Sequence, residues 1–173
     1  MTYTLSHLKI APNNFTTIIE IPAHSDPVKY EFDKDLGLLK VDRFLSVSMS
    51  YPLDYGYIPG TLSDDGDPLD VLVMCPVKLI HGCAIPCRAV GALDMADESG
   101  DDIKILALPS TKCAPMYAHM SDISDIPASI KDELVHFFEH YKDLEKSKWV
   151  KVSGWLGKDE AEGIILNSIL KPN

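Results

Sequence analysis

DDGDPLDVLVMC, residues 64–75, sets four aspartates within seven positions and then runs directly into an apolar stretch. A short apolar run bounded by Gly and Pro reads as a buried strand, so the stretch predicts a strand entering the core with an acidic loop at its mouth. Four carboxylates this close repel one another at pH 7, and a solvated loop does not explain why they lead straight into core. On either side, FTTIIEI, VKYEF, KVDRFL, AVGALDM and DIKILALP are short apolar or alternating runs divided by Gly, Pro and Asp clusters, with ADESGD between the last two as a hairpin. This pattern over residues 15–110 predicts a small antiparallel barrel. Two helical signals follow it. The first begins near SDIP, where Pro127 suits a first helical turn, and repeats Ile130, Leu134, Phe137, Phe138, Tyr141 and Leu144 at spacings of three and four. The second, about KDEAEGIILNSIL, opens acidic and stops before Pro172.

The 173 residues suit one domain, 1–173, long enough to bury roughly 70% of the surface its unfolded chain exposes. No apolar run is long enough to span a bilayer, and MTYTLSHLKI lacks a basic-then-apolar leader, so the expected setting is the cytoplasm. Cys75, Cys83, Cys87 and Cys113 lack paired C-x-x-C spacing and read as core thiols of a reducing compartment. Sixteen basic residues against twenty-six acidic ones leave a net charge of −10, which opposes nonspecific binding to nucleic acid or to an anionic membrane.

Strand alternation says where the charges point. Val28, Tyr30 and Phe32 share one face of VKYEF while Lys29 and Glu31 share the other; in DIKIL, Ile103 and Ile105 point in while Asp102 and Lys104 point away. The plain account of each strand is a solvated face with cross-strand ion pairs, but the same side must also accommodate DDGDPLD and ADESGDD. Carboxylates without His or Cys beside them suit a hard cation, Mg²⁺, Mn²⁺ or Ca²⁺. An EF-hand is excluded, because counting from Asp65 its sixth-position glycine falls on Asp70 and Pro68 interrupts the loop. Asp65 and Asp67, two apart, project into a common space, and Gly66 and Pro68 let the chain turn so that Asp70 returns toward it.

DGDPLDV at 65–71 resembles the signature of soluble family I inorganic pyrophosphatases, and the resemblance runs over nearly the whole chain. It includes Glu20 in EIP, Lys29 and Glu31 in KYE, SYPLDYGYIPGT at 50–61, ADESGDDIK at 96–104 and HYKDLEKSKWVKVSGW at 140–155. His81 and Pro86 in IHGCAIPCR depart from the pattern, which has a Pro before the Gly and an Arg in the strand; the departures bear on local geometry and subunit contacts and not on the chemistry. The compact bacterial form is the one resembled. It implies an OB-like five-stranded antiparallel β-barrel flanked by two α-helices, a homohexamer, and hydrolysis of pyrophosphate, bound as its magnesium complex, with several Mg²⁺ ions in each site. By the family pattern Asp65, Asp70 and Asp102 hold the activating ions, and Asp97 and Glu31 serve the ions that arrive with substrate. Asp67 is the candidate to accept the proton of the attacking water. Lys29, Arg43, Lys104 and Lys142 bind phosphate, with Tyr55 and Tyr141 as phenolic donors; Glu20, Tyr51 and Glu98 orient the ligands. Taken singly, Tyr141 also reads as core and Arg43 as a surface ion pair.

Three other readings stand beside this one. H136-F-F-E-H140 matches the inverted zinc-peptidase pattern H-x-x-E-H, although the two histidines lie off the apolar stripe and suit a subunit contact better. OB-like barrels also bind nucleic acid, but here aspartates would line the groove. A magnesium-dependent hydrolase of another phosphoanhydride, such as a nucleotide, remains the nearest alternative, though no glycine-rich nucleotide loop is present.

Overall fold

The apolar run after the acidic loop is strand β5, Asp70–Val73, in the computed structural model, which describes residues 9–33, 35–63 and 66–170. Asp64 and Asp65 lie outside the described residues. Before β5 come β1 (Phe15–Ile21), β2 (Val28–Asp33), β3 (Leu38–Phe44) and β4 (Asp54–Tyr57); after it come β6 (Ala84–Asp97), β7 (Gly100–Asp101) and β8 (Lys104–Pro109). Helix α1 (Ala128–His140), β9 (Val150–Leu156) and helix α2 (Lys158–Ser168) complete the described chain. No described helix is long and apolar enough to cross a membrane.

Five strands close a ring in the order β1, β4, β5, β8, β6 and back to β1. Four of its seams are antiparallel, and β5 runs parallel to β8. An all-antiparallel ring of five is impossible, because direction cannot alternate all the way round an odd circuit. The expected barrel is therefore present with one parallel seam. Strand β6 is long enough to close the ring and still pair with β7 and β9 beyond it, while β2 and β3 form a separate two-stranded ribbon. Where β1 crosses β4, Gly56 is required by proximity: a Cβ there would lie 1.8 Å from the Ile18 carbonyl oxygen.

Alternation sorts the apolar residues into two cores. Leu72, Leu93, Met95, Leu106 and Leu108 face one side, where Leu134, Phe137, Phe138 and Tyr141 of the α1 stripe pack on them. Val71, Val73, Ala89, Ile105 and Ala107 face the other, covered by Ala161 and Ile165 of α2. Each large side chain fully buried this way contributes about 1.5–3 kcal/mol. The stripe ends sooner than its spacing suggests. The helix stops at His140 and Leu144 is 68% exposed, because periodicity holds only while the helix continues. Pro127 takes the position just before the first helical residue, where its missing N–H costs nothing. All four cysteines are free, but only Cys87 is fully buried. Cys113 is exposed in the turn after β8, so the reading of it as a core thiol is corrected.

Candidate active site

The parallel seam builds the floor of the site. Its register sets Asp70 beside Lys104, and each lies on the face of its strand that carries Leu72 or Leu106. Lys104 is only 4% exposed. Its ammonium makes ion pairs with both Asp70 and Asp102, and lies 5.7 Å from the centre of the Tyr55 ring supplied by β4. Burial alone would lower the Lys104 pKa, but the two carboxylates outweigh it and hold the group above the usual lysine range. One ammonium cannot offset two carboxylates, however. Burial raises the Asp102 carboxyl, and nearby Asp70 adds to the effect despite Lys104.

Above this floor runs a chain of alternating charge. Lys29 pairs with Glu31 and approaches Asp42 at 3.5 Å; Asp42 meets Arg43 at 2.7 Å, and Arg43 Nε donates to Glu145 at 3.0 Å. Lys148 continues it, 3.8 Å from Glu145 and 3.4 Å from Glu98; Lys142 then joins Glu98 at 3.5 Å to Asp97 at 2.6 Å. The β2–β3 register brings Lys29 opposite Arg43, which places two cations on one wall with Asp42 between them. Burial would raise the Asp97 carboxyl, but Lys142 and the Ser99 amide hold it below the usual carboxylate range.

Three phenols and one carboxyl lie deeper. Burial raises Tyr51, Tyr55 and Tyr141 well above the normal phenol range, so each keeps a hydroxyl hydrogen to donate. Tyr141 stacks on Phe137 and the Tyr51 ring packs against it at a tilt, which ties both positions to α1. The Glu20 side chain accepts the Phe32 amide at 2.7 Å, and burial pushes its pKa up to about 7. Gly66, at φ +90°, lets the acidic loop turn so that the Ser63 amide reaches the Asp67 carbonyl at 2.7 Å.

One cleft of about 1070 Å³ receives Asp67, Asp70, Asp97, Asp102, Glu31, Lys29, Arg43, Lys104, Lys142, Tyr55 and Tyr141, with Glu20, Tyr51 and Glu98. The remaining expected ligand, Asp65, lies outside the described residues. Asp42, Asp101 and Lys148 also line the cleft, and Glu145 holds Arg43; sequence reasoning overlooked all four. Asp42 had a signal, since it adjoins Arg43. Glu145 had little, because its partner lies 102 residues away. The ion-pair reading of Arg43 and the core reading of Tyr141 both hold, yet both residues also line the cleft.

Nine carboxylates face five cations among the described lining residues, so the cleft carries a surplus of negative charge. Among the described residues no three His, Cys, Asp or Glu side chains gather closely enough to share one ion. Lys104 and Lys142 stand between the carboxylates instead. The all-oxygen donor set and the charge surplus nonetheless fit a hard divalent cation. The zinc pattern on α1 has no such gathering: the His136 and His140 rings lie 4.7 Å apart at a tilt, and His140 bonds Asp143 at 2.8 Å.

Carboxylates suited to a hard divalent cation, set across one cleft from lysine and arginine side chains suited to phosphate, fit the class of metal-dependent phosphoanhydride hydrolases. The chain belongs to the inorganic pyrophosphatase family, whose sequence model matches residues 17–172. It is 56% identical over 161 residues to the inorganic pyrophosphatase of Ralstonia nicotianae, covering 93% of this chain and 92% of that one. With the Escherichia coli enzyme it shares 52% over 160 residues, 92% and 91% of the two chains. The solved pyrophosphatase of Coxiella burnetii superposes with a TM-score of 0.91 at 48% identity, covering 94% of this chain and 96% of that one.

Proposed function

We propose that this chain hydrolyses inorganic pyrophosphate, taken as its magnesium complex, to two phosphates by direct attack of water. The observation that carries the reading is the carboxylate surplus of the cleft beside the wall of Lys29, Arg43 and Lys142. A polyanion would be repelled from such a cleft unless cations come between them. Asp65, Asp70 and Asp102 would hold activating Mg²⁺, and Asp97 and Glu31 the ions that accompany substrate. When bound, these ions offset the negative charge and lower the pKa of water from about 15.7 toward neutrality.

The chain's own groups do the rest. Asp67 accepts the proton of the attacking water. Arg43 engages two phosphate oxygens at once, which fixes orientation as well as charge. Lys29, Lys104 and Lys142 add point charges, and the buried Tyr55 and Tyr141 donate neutral hydrogen bonds. Glu20, Tyr51 and Glu98 hold these groups in place. Catalysis is then positioning and electrostatic stabilisation, with no covalent intermediate. We further propose one domain, a cytoplasmic setting and a homohexamer, for which the exposed Phe44, Val77 and Ile80, each over 70% exposed, offer apolar contact surface. Light scattering that gave a monomer at neutral pH would remove the hexamer.

Phosphate release from pyrophosphate, with and without Mg²⁺, tests the reading. Activity should vanish in excess chelator and return with Mg²⁺, and calcium, which tolerates looser coordination, should bind but support little turnover. Turnover undiminished in chelator would defeat the mechanism, and faster release from nucleoside triphosphate than from pyrophosphate would move the substrate assignment to the nucleotide.

A further inference from the structure

The cleft has an apolar wall that a carbon-free substrate cannot use. Ile10, Phe32, Tyr57, Leu62, Ile169 and Leu170 line it beside the charged half. Its construction is specific. The chain after α2 is strapped to the loop before the acidic cluster: the Leu62 amide donates to the Ser168 carbonyl at 2.8 Å, and the Leu170 amide to the Gly60 carbonyl at 3.0 Å, with Thr61 and Ile169 paired between them. Gly60 has φ +85°, and a Cβ there would come within 3.0 Å of Ile10 Cδ1, so Ile10 packs directly over the strap. Leu62 and Leu170 remain 46% and 51% exposed.

The two halves meet at Phe32 and Tyr57. The Phe32 backbone amide holds the Glu20 carboxylate, while its ring lies 6.1 Å from that of Tyr57. Tyr57 is directly opposite Asp70 in the β4–β5 ladder. Opposed residues put their side chains on one face with Cβ atoms about 4.5–5.5 Å apart. The apolar wall therefore starts one side chain away from the charged floor. A cleft of about 1070 Å³ slightly exceeds the roughly 300–1,000 Å³ of sites that enclose drug-sized ligands, a volume shared here by pyrophosphate, its ions and the apolar half.

We infer that this wall is a subsite for the organic group of a substituted diphosphate: a ligand whose two phosphoryl groups occupy the charged half and whose small apolar or aromatic substituent lies against Phe32, Tyr57, Leu62 and Leu170. The inference rests on the active-site reading above, and it concerns binding, with no bond made or broken. Charge complementarity selects the occupant. The cationic wall suits a diphosphate-like head, and Leu62 and Leu170 in the same cleft suit a carbon substituent attached to it.

Geminal bisphosphonates differing only in the substituent on the bridging carbon provide the probe, because their P–C–P linkage resists hydrolysis. Dissociation constants for methylenebisphosphonate and its benzyl derivative, measured calorimetrically on the Mg²⁺-loaded protein, should favour the benzyl compound about tenfold. In a Leu62→Ser/Leu170→Ser double variant the advantage should fall below about threefold, while kcat and KM for pyrophosphate stay within about twofold of the parent. Both sites are half-exposed, so the variant should fold; an unchanged melting temperature would verify that. Equal affinity for the two compounds, or an advantage that survives in the double variant, overturns the inference and leaves the active-site reading intact. Failure of the unsubstituted compound to bind at all overturns both. A changed oligomeric state in the double variant would assign the wall to a contact with a second copy and would equally overturn the subsite.

Discussion

Replacing Lys104 by Met tests how the site keeps its carboxylates together. The side chain is 4% exposed and its ammonium bridges Asp70 and Asp102. Unit charges about 4 Å apart interact by about 4 kcal/mol at an effective dielectric of about 20, and removing one partner of a buried pair costs about 3–5 kcal/mol. In chelator, Lys104→Met should therefore lose that much stability, which corresponds to a fall in Tm of about 6–20 °C for a chain of this size. The pH dependence has a definite sign. Asp102 is already raised above its ordinary value by burial and by Asp70, and without the ammonium it rises further. A carboxyl raised in the folded state contributes stability at low pH that is lost as pH climbs through its folded pKa. The deficit should accordingly be larger at pH 8 than at pH 5. Saturating Mg²⁺ should shrink it, because a divalent cation between the same carboxylates replaces the lost charge and adds binding energy to the folded state. Differential scanning fluorimetry with chelator and with Mg²⁺, at both pH values, supplies all four numbers. A deficit below about 1 kcal/mol, or one that Mg²⁺ leaves unchanged, would refute the bridging argument.

The acidic loop separates by role. Asp67→Asn should lower turnover by about 10²–10⁴-fold with Mg²⁺ and substrate affinity nearly intact, whereas Asp70→Asn should raise the Mg²⁺ requirement and recover part of its activity at high Mg²⁺; the opposite pattern in Mg²⁺ titrations would reverse the assignment. Glu20, at about 7 against an ordinary 4.5, contributes stability below its unfolded pKa that disappears as pH rises through 7. Relative to Glu20→Gln, which keeps the bond from Phe32, the parent in chelator should thus lose about 3 kcal/mol between pH 4 and pH 8, and equal slopes in denaturant titrations would exclude it. Gly56→Ala should prevent soluble folding, since its Cβ would lie 1.8 Å from the Ile18 carbonyl oxygen; a well-folded variant by circular dichroism would contradict the close approach of β1 and β4.

Longer alternating runs and apolar runs bounded by turn residues made most strands of the ring legible in the sequence. FTTIIEI coincides with β1, and the two sides of DIKILALP separate as Ile103 and Ile105 from Lys104, as their spacing implies. DYGY escaped notice because four residues with a glycine among them carry no period, and VKVSGWL because Val150 and Val152 alternate with Lys151 and Ser153 over only four residues before Gly154. The direction of Lys104 was legible but its burial was not. Alternation says only that a side chain leaves one core, and here the other face is also covered, by tyrosines and α1. In the site, the density of aspartates identified the acidic floor. The linkage of Arg43 to Glu145 depends on how α1 delivers the segment after it, which no local pattern encodes.

The single parallel seam ties chemistry to arithmetic. Wherever an odd ring fails to alternate, two neighbouring strands must begin at the same rim, and the loops that feed them arrive there together. In this chain those loops are the one ending at Asp70 and the one carrying Asp101 and Asp102 to Lys104. A ring lengthened or shortened by one strand could satisfy alternation throughout, and each strand start would then lie beside a neighbour's end. The mismatch that a five-membered circuit cannot avoid is thus what crowds like charges onto a common edge, and the number of staves in the barrel is as much a constraint on the active site as the identity of any aspartate.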